Sequence, residues 1–291
     1  MSIPIVPNLL RDHLSALAHS DERIDGRGQW EGRLLEVEHS ILPRAEGSAR
    51  VRMGDTIVLA GVKFQIMQPY PDRPNQGGLM CSAEVRPVAG RNWEAGPPSP
   101  ESIELGRVVD RGIRESGCID VDSLCIIPGE KAWQVILDLF AVSDDGNLFD
   151  AFALAGIVAL RNATVPAERF EVGDDYPLGV SKSPIMCSYH KVGGRFVYDA
   201  DSREELGGDE RIHITLGDDD NVHSLQKGLK GIFTTDEFQE IMDNARQRTK
   251  EIREVIEEKK VKCIFSEPQF NPAIIKSIAS DTGVKTGVLD P

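Results

Sequence analysis

The chain has 291 residues, 40% hydrophobic and 27% charged, which is enough apolar material for one substantial core and a composition that excludes a disordered chain. Its formal net charge of −14 argues against a general nucleic-acid binder, because phosphate contacts need local positive charge, so any RNA contact has to come from a local patch. No run approaches the roughly 18 apolar residues of a membrane span.

The N-terminus Met1-Ser2-Ile3-Pro4 lacks the basic-then-apolar pattern of a signal peptide, and a cytoplasmic location is expected. In chain order, residues 7–19 read as a short amphipathic helix, followed by a loop over 21–30. A β-rich block runs from Leu34 to about Pro87, with alternating strands over 34–41, 49–53 and 56–67, and Gly54-Asp55 supplies a hairpin turn. Pro/Gly-rich loops follow over 69–78 and 87–100. Next come a helix over 102–116, an alternating strand over 133–142 and an almost wholly apolar helix over 149–160. A second β-rich block, 185–226, has strands near 185–192, 195–198, 212–216 and 222–226, and a helix over 235–258 with a Thr/Asp capping signal closes the core. Two strand groups, each followed by helices, predict an α+β fold. Cys81, Cys118, Cys125, Cys187 and Cys263 lack CxxC spacing and read as reduced core residues.

The most informative stretch is Ser143-Asp144-Asp145-Gly146-Asn147-Leu148-Phe149-Asp150. A strand passing through a glycine turn into a helix presents backbone N–H groups at the positive end of the helix dipole, which suits an anion. This turn offers Asp144, Asp145 and Asp150 instead of a cation, so phosphate would meet negative charge there with no planar guanidinium to grip it.

That turn, with Arg23-Ile24-Asp25-Gly26-Arg27, Gly47-Ser48-Ala49-Arg50-Val51, the run Ile103 to Ser116, residues 133–160 and Leu225-Gln226-Lys227-Gly228, resembles the RNase PH family of phosphorolytic ribonucleases. Within it the match is to the non-catalytic RNase PH-like subunits of the archaeal exosome, over roughly residues 8–255. The resemblance implies two β/α halves in one compact domain, 1–258, and a catalytically silent subunit. Such a subunit alternates with a catalytic paralogue in a hetero-hexameric ring, carries RNA-binding cap proteins and passes single-stranded RNA to the partner. Catalytic members hold phosphate with a Gly-Ser/Thr-Arg turn; the matching positions here are Gly146, Asn147 and Leu148, so the arginine has become leucine. A second phosphate-gripping arginine of that family falls near Glu101, and its two aspartates correspond to Asp199 and Glu205. By residue type alone, the acidic run 199–209 reads as a solvated loop, and Glu84 and Arg86 as strand surface charges. An active phosphate-dependent 3′-to-5′ exoribonuclease is the alternative.

On the helix over 102–116, Arg107, Arg111 and Arg114 share an arc opposite Leu105, Val108, Val109 and Ile113. They are either surface partners of Glu104, Asp110 and Glu115 or, as the resemblance implies, RNA contacts. The six histidines are dispersed without HxH or HxxxH spacing, and neither a metal site nor a cofactor is expected. Residues 259–291 resemble a fragment of the zinc ABC-transporter binding proteins, which would put Asp290 of Leu289-Asp290-Pro291 at a metal site. With no histidine set beside it, this extension is expected to be incomplete and foreign to the domain, and zinc binding through it is the remaining alternative.

Overall fold

A computed structural model describes residues 8–20, 22–258, 264–266 and 286–288. The chain divides into two compact units, Met1–Thr249 and Lys250–Pro291. In the first, α1 (Asn8–His19) leads into β1 (Leu35–His39), β2 (Gly47–Met53), β3 (Thr56–Met67) and β4 (Gly78–Val85). Then follow α2 (Pro100–Ser116), β5 (Cys125–Ile127), β6 (Lys131–Ser143) and α3 (Leu148–Arg161). A short pair, β7 (Thr164–Val165) and β8 (Tyr176–Pro177), precedes β9 (Ile185–Val192), β10 (Arg195–Tyr198), α4 (Ser202–Gly207), β11 (Glu210–Leu216), β12 (Val222–Leu229) and α5 (Thr235–Glu258), whose residues from Lys250 on belong to the second unit. In the second unit β13 (Ile264–Ser266) pairs in parallel with β14 (Thr286–Val288). Asp290 lies outside the described residues.

The first sheet runs β1-β2-β3-β6-β4, with β5 on β6. The hairpin falls where predicted: Met53 pairs with Thr56 across Gly54, whose φ of +58° is the left-handed conformation that glycine adopts without a Cβ penalty. β6 is its spine, antiparallel to β3 and parallel to β4, so the path β4–α2–β6 is a crossover unit. Trp133 on β6 is 1% exposed and stands edge-on to Phe64 and Phe170 at 6.1 and 5.1 Å. β4 is a strand that the pattern reading did not separate from its block. Leu79, Ala83 and Val85 face in while Met80, Ser82 and Glu84 face out, an alternation diluted by the small residues between them.

The second sheet runs β10-β9-β11-β12, all antiparallel. α3 is buried along nearly its whole length and packs against β2 and β3 on one side and β9 on the other, which is why its sequence is apolar all round. α2 likewise joins β4 to β12. The N-cap Ser99, Pro100 in its first turn and the left-handed Gly117 bound α2 chemically. At the start of α5, Thr234 Oγ1 accepts from the Glu237 N–H while Glu237 Oε2 accepts from the Thr234 N–H, a reciprocal cap. The two β/α halves thus share one core, with α3 between the sheets.

Candidate functional site

The turn between β6 and α3 brings the α3 N-terminus against α4. Gly146 has φ +83°, and a Cβ there would lie 2.6 Å from the Asp201 carbonyl carbon and 2.7 Å from the Ser202 nitrogen. Ser202 fastens the contact: its N–H donates to the Asp145 carbonyl at 3.1 Å and its hydroxyl to Asp145 Oδ1 at 2.6 Å. α4 is capped by Asp201, whose carboxylate accepts from the N–H groups of Arg203 and Glu204, and Glu204 answers to the Asp201 N–H. The result is that Glu205 is delivered to the head of α3, where its Oε1 accepts from the Asn147 N–H at 2.8 Å. Leu148, at the position where the resemblance places an arginine in catalytic members, is a 5% exposed core residue. Glu101 lies exposed in the first turn of α2.

A cation does reach this turn, but from another part of the chain. Arg33 donates through both terminal nitrogens to the Asp145 and Gly146 carbonyls, at 2.7 and 3.2 Å. The same side chain grips Asp199, Nε to Oδ2 at 3.0 Å and a terminal nitrogen to Oδ1 at 2.7 Å, and its own N–H adds a bond of 2.7 Å. Arg27 contributes a further ion pair at 3.2 Å, and the Asn147 amide donates to Asp199 at 2.8 Å. Asp199 sits at φ +52°, fully buried. Burial pushes its carboxyl up, but these donors outweigh that and hold it below the usual carboxylate range. The acidic run is therefore no solvated loop: Asp201 and Glu204 are each 2% exposed, and Glu204 forms a bidentate pair with buried Arg23 at 2.8 and 2.6 Å. The expectation failed because the partners, Arg23, Arg27 and Arg33, lie some 170 residues earlier. Two of these belong to the quoted motif Arg23–Arg27, which was the available signal.

Behind Asp199 a buried polar chain continues. The Asn147 amide also donates to Asp150 at 3.0 Å, and Asp150 accepts from the Ser188 N–H and hydroxyl at 3.0 and 2.5 Å. Ser188 Oγ lies 2.7 Å from Nδ1 of His213, whose ring stacks on Phe149 at 3.9 Å. Burial raises the Asp150 carboxyl to about 7 against the Ser188 and Asn147 bonds, with Asp199 repelling it. His213 and His190, dispersed in sequence, are neither solitary nor on the surface: β9 and β11 bring the two buried rings to 6.3 Å. Burial, with Arg211 beside it, depresses His190 to about 3 and keeps it neutral. Among the described residues no group of His, Cys, Asp and Glu is placed to hold a metal ion.

On α2, Arg107, Arg111 and Arg114 are exposed on the face opposite the buried Leu105, Val108, Val109 and Ile113. Arg114 is engaged, donating twice to Asp110 at 3.1 and 2.7 Å and to the Leu79 carbonyl at 2.8 Å. Glu104 does not pair with its own helix. It takes two bonds from Arg211, at 2.8 and 2.7 Å, and one from Gln226 at 2.8 Å, tying α2 to the second sheet. Arg107 and Arg111 make no hydrogen bond or ion pair among the described residues. Glu84 and Arg86 pair at 3.0 Å at the surface, as expected. Cys81, Cys118, Cys125 and Cys187 are free thiols.

Comparison with known proteins matches residues 31–166 to domain 1 and residues 182–248 to domain 2 of the 3′ exoribonuclease family, RNase PH. Residues 225–291 also match the periplasmic zinc-uptake complex component A, over less than a quarter of the chain. The exosome complex component Rrp42 of Archaeoglobus fulgidus is 46% identical over 257 residues, covering 87% of this chain and 98% of that protein. That of Methanothermobacter thermautotrophicus is 38% identical, covering 87% and 96%. Among solved structures, the Archaeoglobus fulgidus exosome with RNA bound to the active site contains a chain that superposes with a TM-score of 0.83 at 44% identity, covering 85% of this chain and 97% of that one. A chain of an archaeal exosome core superposes at 0.80 and 42%, covering 86% and 97%. No described helix is long and apolar enough to cross a membrane.

Proposed function

The chain belongs to the family of exosome complex component Rrp42, built from both domains of the 3′ exoribonuclease family, and from that membership we propose that it is a catalytically silent subunit of an exosome ring. In this reading it alternates with a catalytic RNase PH-like paralogue in a hetero-hexamer, in the cytoplasm, beneath RNA-binding cap proteins. It supports 3′-to-5′ RNA degradation by shaping the ring and contacting the single-stranded substrate. The observation that carries the silence is the locking of Asp199. Phosphorolysis needs a bound phosphate and an acid to protonate the leaving 3′ oxygen. Asp199 is held as a carboxylate by Arg33 and Arg27, the head of α3 is taken by Glu205, and Leu148 offers no charge.

Arg107 and Arg111 supply the RNA contact in this reading, being the guanidinium groups of α2 without a hydrogen-bond or ion-pair partner among the described residues, with Arg114 third because Asp110 holds it. The test is phosphate-dependent shortening of poly(A) RNA. The chain alone is expected to release no nucleoside diphosphates, whereas its ring with the catalytic paralogue does. Release by the chain alone, abolished in Asp199→Asn, would establish an active nuclease instead.

A further inference from the structure

We propose that Asp150, Ser188 and His213 form a buried proton-coupled switch, in which uptake of one proton by the Asp150 carboxyl reverses both hydrogen bonds of the chain and moves the His213 proton from Nδ1 to Nε2. The switch goes beyond the ring-subunit reading and stands without it.

Asp150 Oδ2 takes two N–H donors, the Asn147 amide and the Ser188 backbone, both at 3.0 Å, whereas Oδ1 meets only the Ser188 hydroxyl, at 2.5 Å. The same hydroxyl oxygen lies 2.7 Å from Nδ1 of His213, which the β9–β11 register sets opposite Ser188 and whose ring stacks on Phe149 at 3.9 Å. A hydroxyl has one proton for these two links. With Asp150 ionised, it donates to Oδ1, so Nδ1 must carry the His213 proton and donate to Ser188. With Oδ1 protonated, the carboxyl donates to Ser188, the hydroxyl donates to Nδ1, and the His213 proton must sit on Nε2. Asp150, Ser188 and His213 are all buried, and Nε2 has no hydrogen-bond partner among the described residues, so the tautomer is decided at Nδ1 alone.

The transfer balances proton for proton. A proton from solvent binds Nε2, the Nδ1–H bond breaks as its proton passes to Ser188 Oγ, and the former hydroxyl proton passes to Oδ1. Burial, with His190 and Arg211 beside it, holds His213 well below the usual imidazole range, so the charge does not stay on the ring. Burial lifts the Asp150 carboxyl to about 7, with Asp199 repelling its charge, so the proton comes to rest there. Of the groups around the chain, Asp199 is clamped as a carboxylate, and Arg211 is tied to Glu104 of α2. His190 is kept neutral by burial, and burial raises Tyr189 and Tyr198 so that both keep their protons. Glu205, pushed up by burial to about 8, titrates nearby: its Oε1 lies 3.9 Å from Nε2 of His190, whose ring stands 6.3 Å from that of His213.

The test is a pH titration of the full-length chain by nitrogen-15 NMR of its histidine rings, with the His213 signals assigned by nuclear Overhauser contact with the stacked Phe149 ring. In wild type the two ring nitrogens of His213 are expected to exchange pyrrole-type and pyridine-type shifts across about pH 7, Nδ1–H giving way to Nε2–H as pH falls. In Asp150→Asn the two N–H donors hold the new carbonyl oxygen and its amide donates to Ser188, so His213 is expected to stay Nε2–H at every pH. In Ser188→Ala the chain is cut, and the tautomer is expected to lose its pH dependence. In wild type labelled with carbon-13 aspartate, one carboxyl carbon is expected to share the midpoint of the tautomer change, a readout that needs neither variant and that Glu205 does not enter. The proposal is overturned by a single His213 tautomer across the range, by both nitrogens turning pyrrole-type as in imidazolium, or by the lack of an aspartate carboxyl titrating at the same midpoint. A tautomer change that survives in Asp150→Asn or in Ser188→Ala overturns it equally.

Discussion

At the residue scale, Asn147 is the joint of the site. It is 1% exposed with φ +56°, and its single amide group separates two buried carboxylates, donating to Asp199 on one side and Asp150 on the other. Asn147→Ala leaves both carboxylates short of a donor and facing each other across a gap. It is expected to lower the unfolding free energy by about 2–4 kcal/mol in a urea titration, in the range for an unsatisfied buried polar group beside a charge. Asp150 gives the pH dependence of the same chain. Its folded value of about 7 lies above the unfolded 3.8, so folding favours the protonated form; this contribution is full below pH 3.8 and is lost as pH rises through about 7. The stability of wild type relative to Asp150→Asn is therefore expected to fall by about 2–4 kcal/mol between about pH 4 and pH 8, read from urea midpoints. His190, depressed to about 3, works with opposite sign: its contribution is present above 6.5 and lost towards pH 3, in both proteins alike. Leu148→Arg alone is expected to leave poly(A) phosphorolysis at zero, because the new guanidinium enters a buried position while Asp199 remains gripped by Arg33.

At the element scale, the site depends on α4, six residues long, being clamped to the turn before α3. Gly146→Ala forces a Cβ to within 2.6–2.8 Å of the Ala200, Asp201 and Ser202 backbone and strains a left-handed φ. A loss of about 2–4 kcal/mol is expected, several times the ~1 kcal/mol of a left-handed strain alone. Thiol-specific labelling of an introduced Ala200→Cys should show α4 loosened. An unchanged melting temperature would mean that the turn relaxes freely. α4 also marks where the sequence stops being legible. Long elements with a clean period, such as α2, β3 and β6, can be read to within about two residues, because their apolar spacing reports directly which face is buried, and α3 can be read as closely from its unbroken apolar run. α4 reads as a charged loop, since its buried groups are Asp201 and Glu204, and only distant arginines make burial of acids tolerable. The pairing of His190 with His213 is hidden for the same reason: it depends on the β9–β11 register, which places His190 beside Arg211 and His213 beside Ser188. The turn 143–150 was recognisable as an anion-type geometry, but what fills it came from Arg33 and Glu205, one on either side in sequence.

At the scale of the whole molecule, the chain is acidic and its exposed Arg107 and Arg111 form a narrow basic stripe, so if RNA is contacted there as proposed, binding in an assembled ring should be local and sensitive to salt. Arg107→Ala with Arg111→Ala is expected to weaken RNA capture and to lower the slope of log affinity against log salt by about 1.4, two phosphate contacts at about 0.7 each. Assembly should persist, because both side chains are exposed and unpaired among the described residues. The boundary of the RNA-handling domain is a further expectation at this scale. The first compact unit ends at Thr249 and the second family match at residue 248, while α5 continues to Glu258. The part of α5 inside the first unit carries the buried Ile241, Met242, Ala245 and Thr249, and Asn244 accepts from the Tyr189 hydroxyl at 2.9 Å. A chain truncated after Glu258 keeps all of these, so deletion of residues 259–291 is expected to shift the melting temperature by no more than a degree or two, on the order of 0.5 kcal/mol for a domain of this size. It should form the mixed ring with the catalytic paralogue at unchanged mass by light scattering. Loss of several degrees, or a truncated chain that stays monomeric beside its paralogue, would place part of the extension inside the domain and move the boundary C-terminal of Glu258.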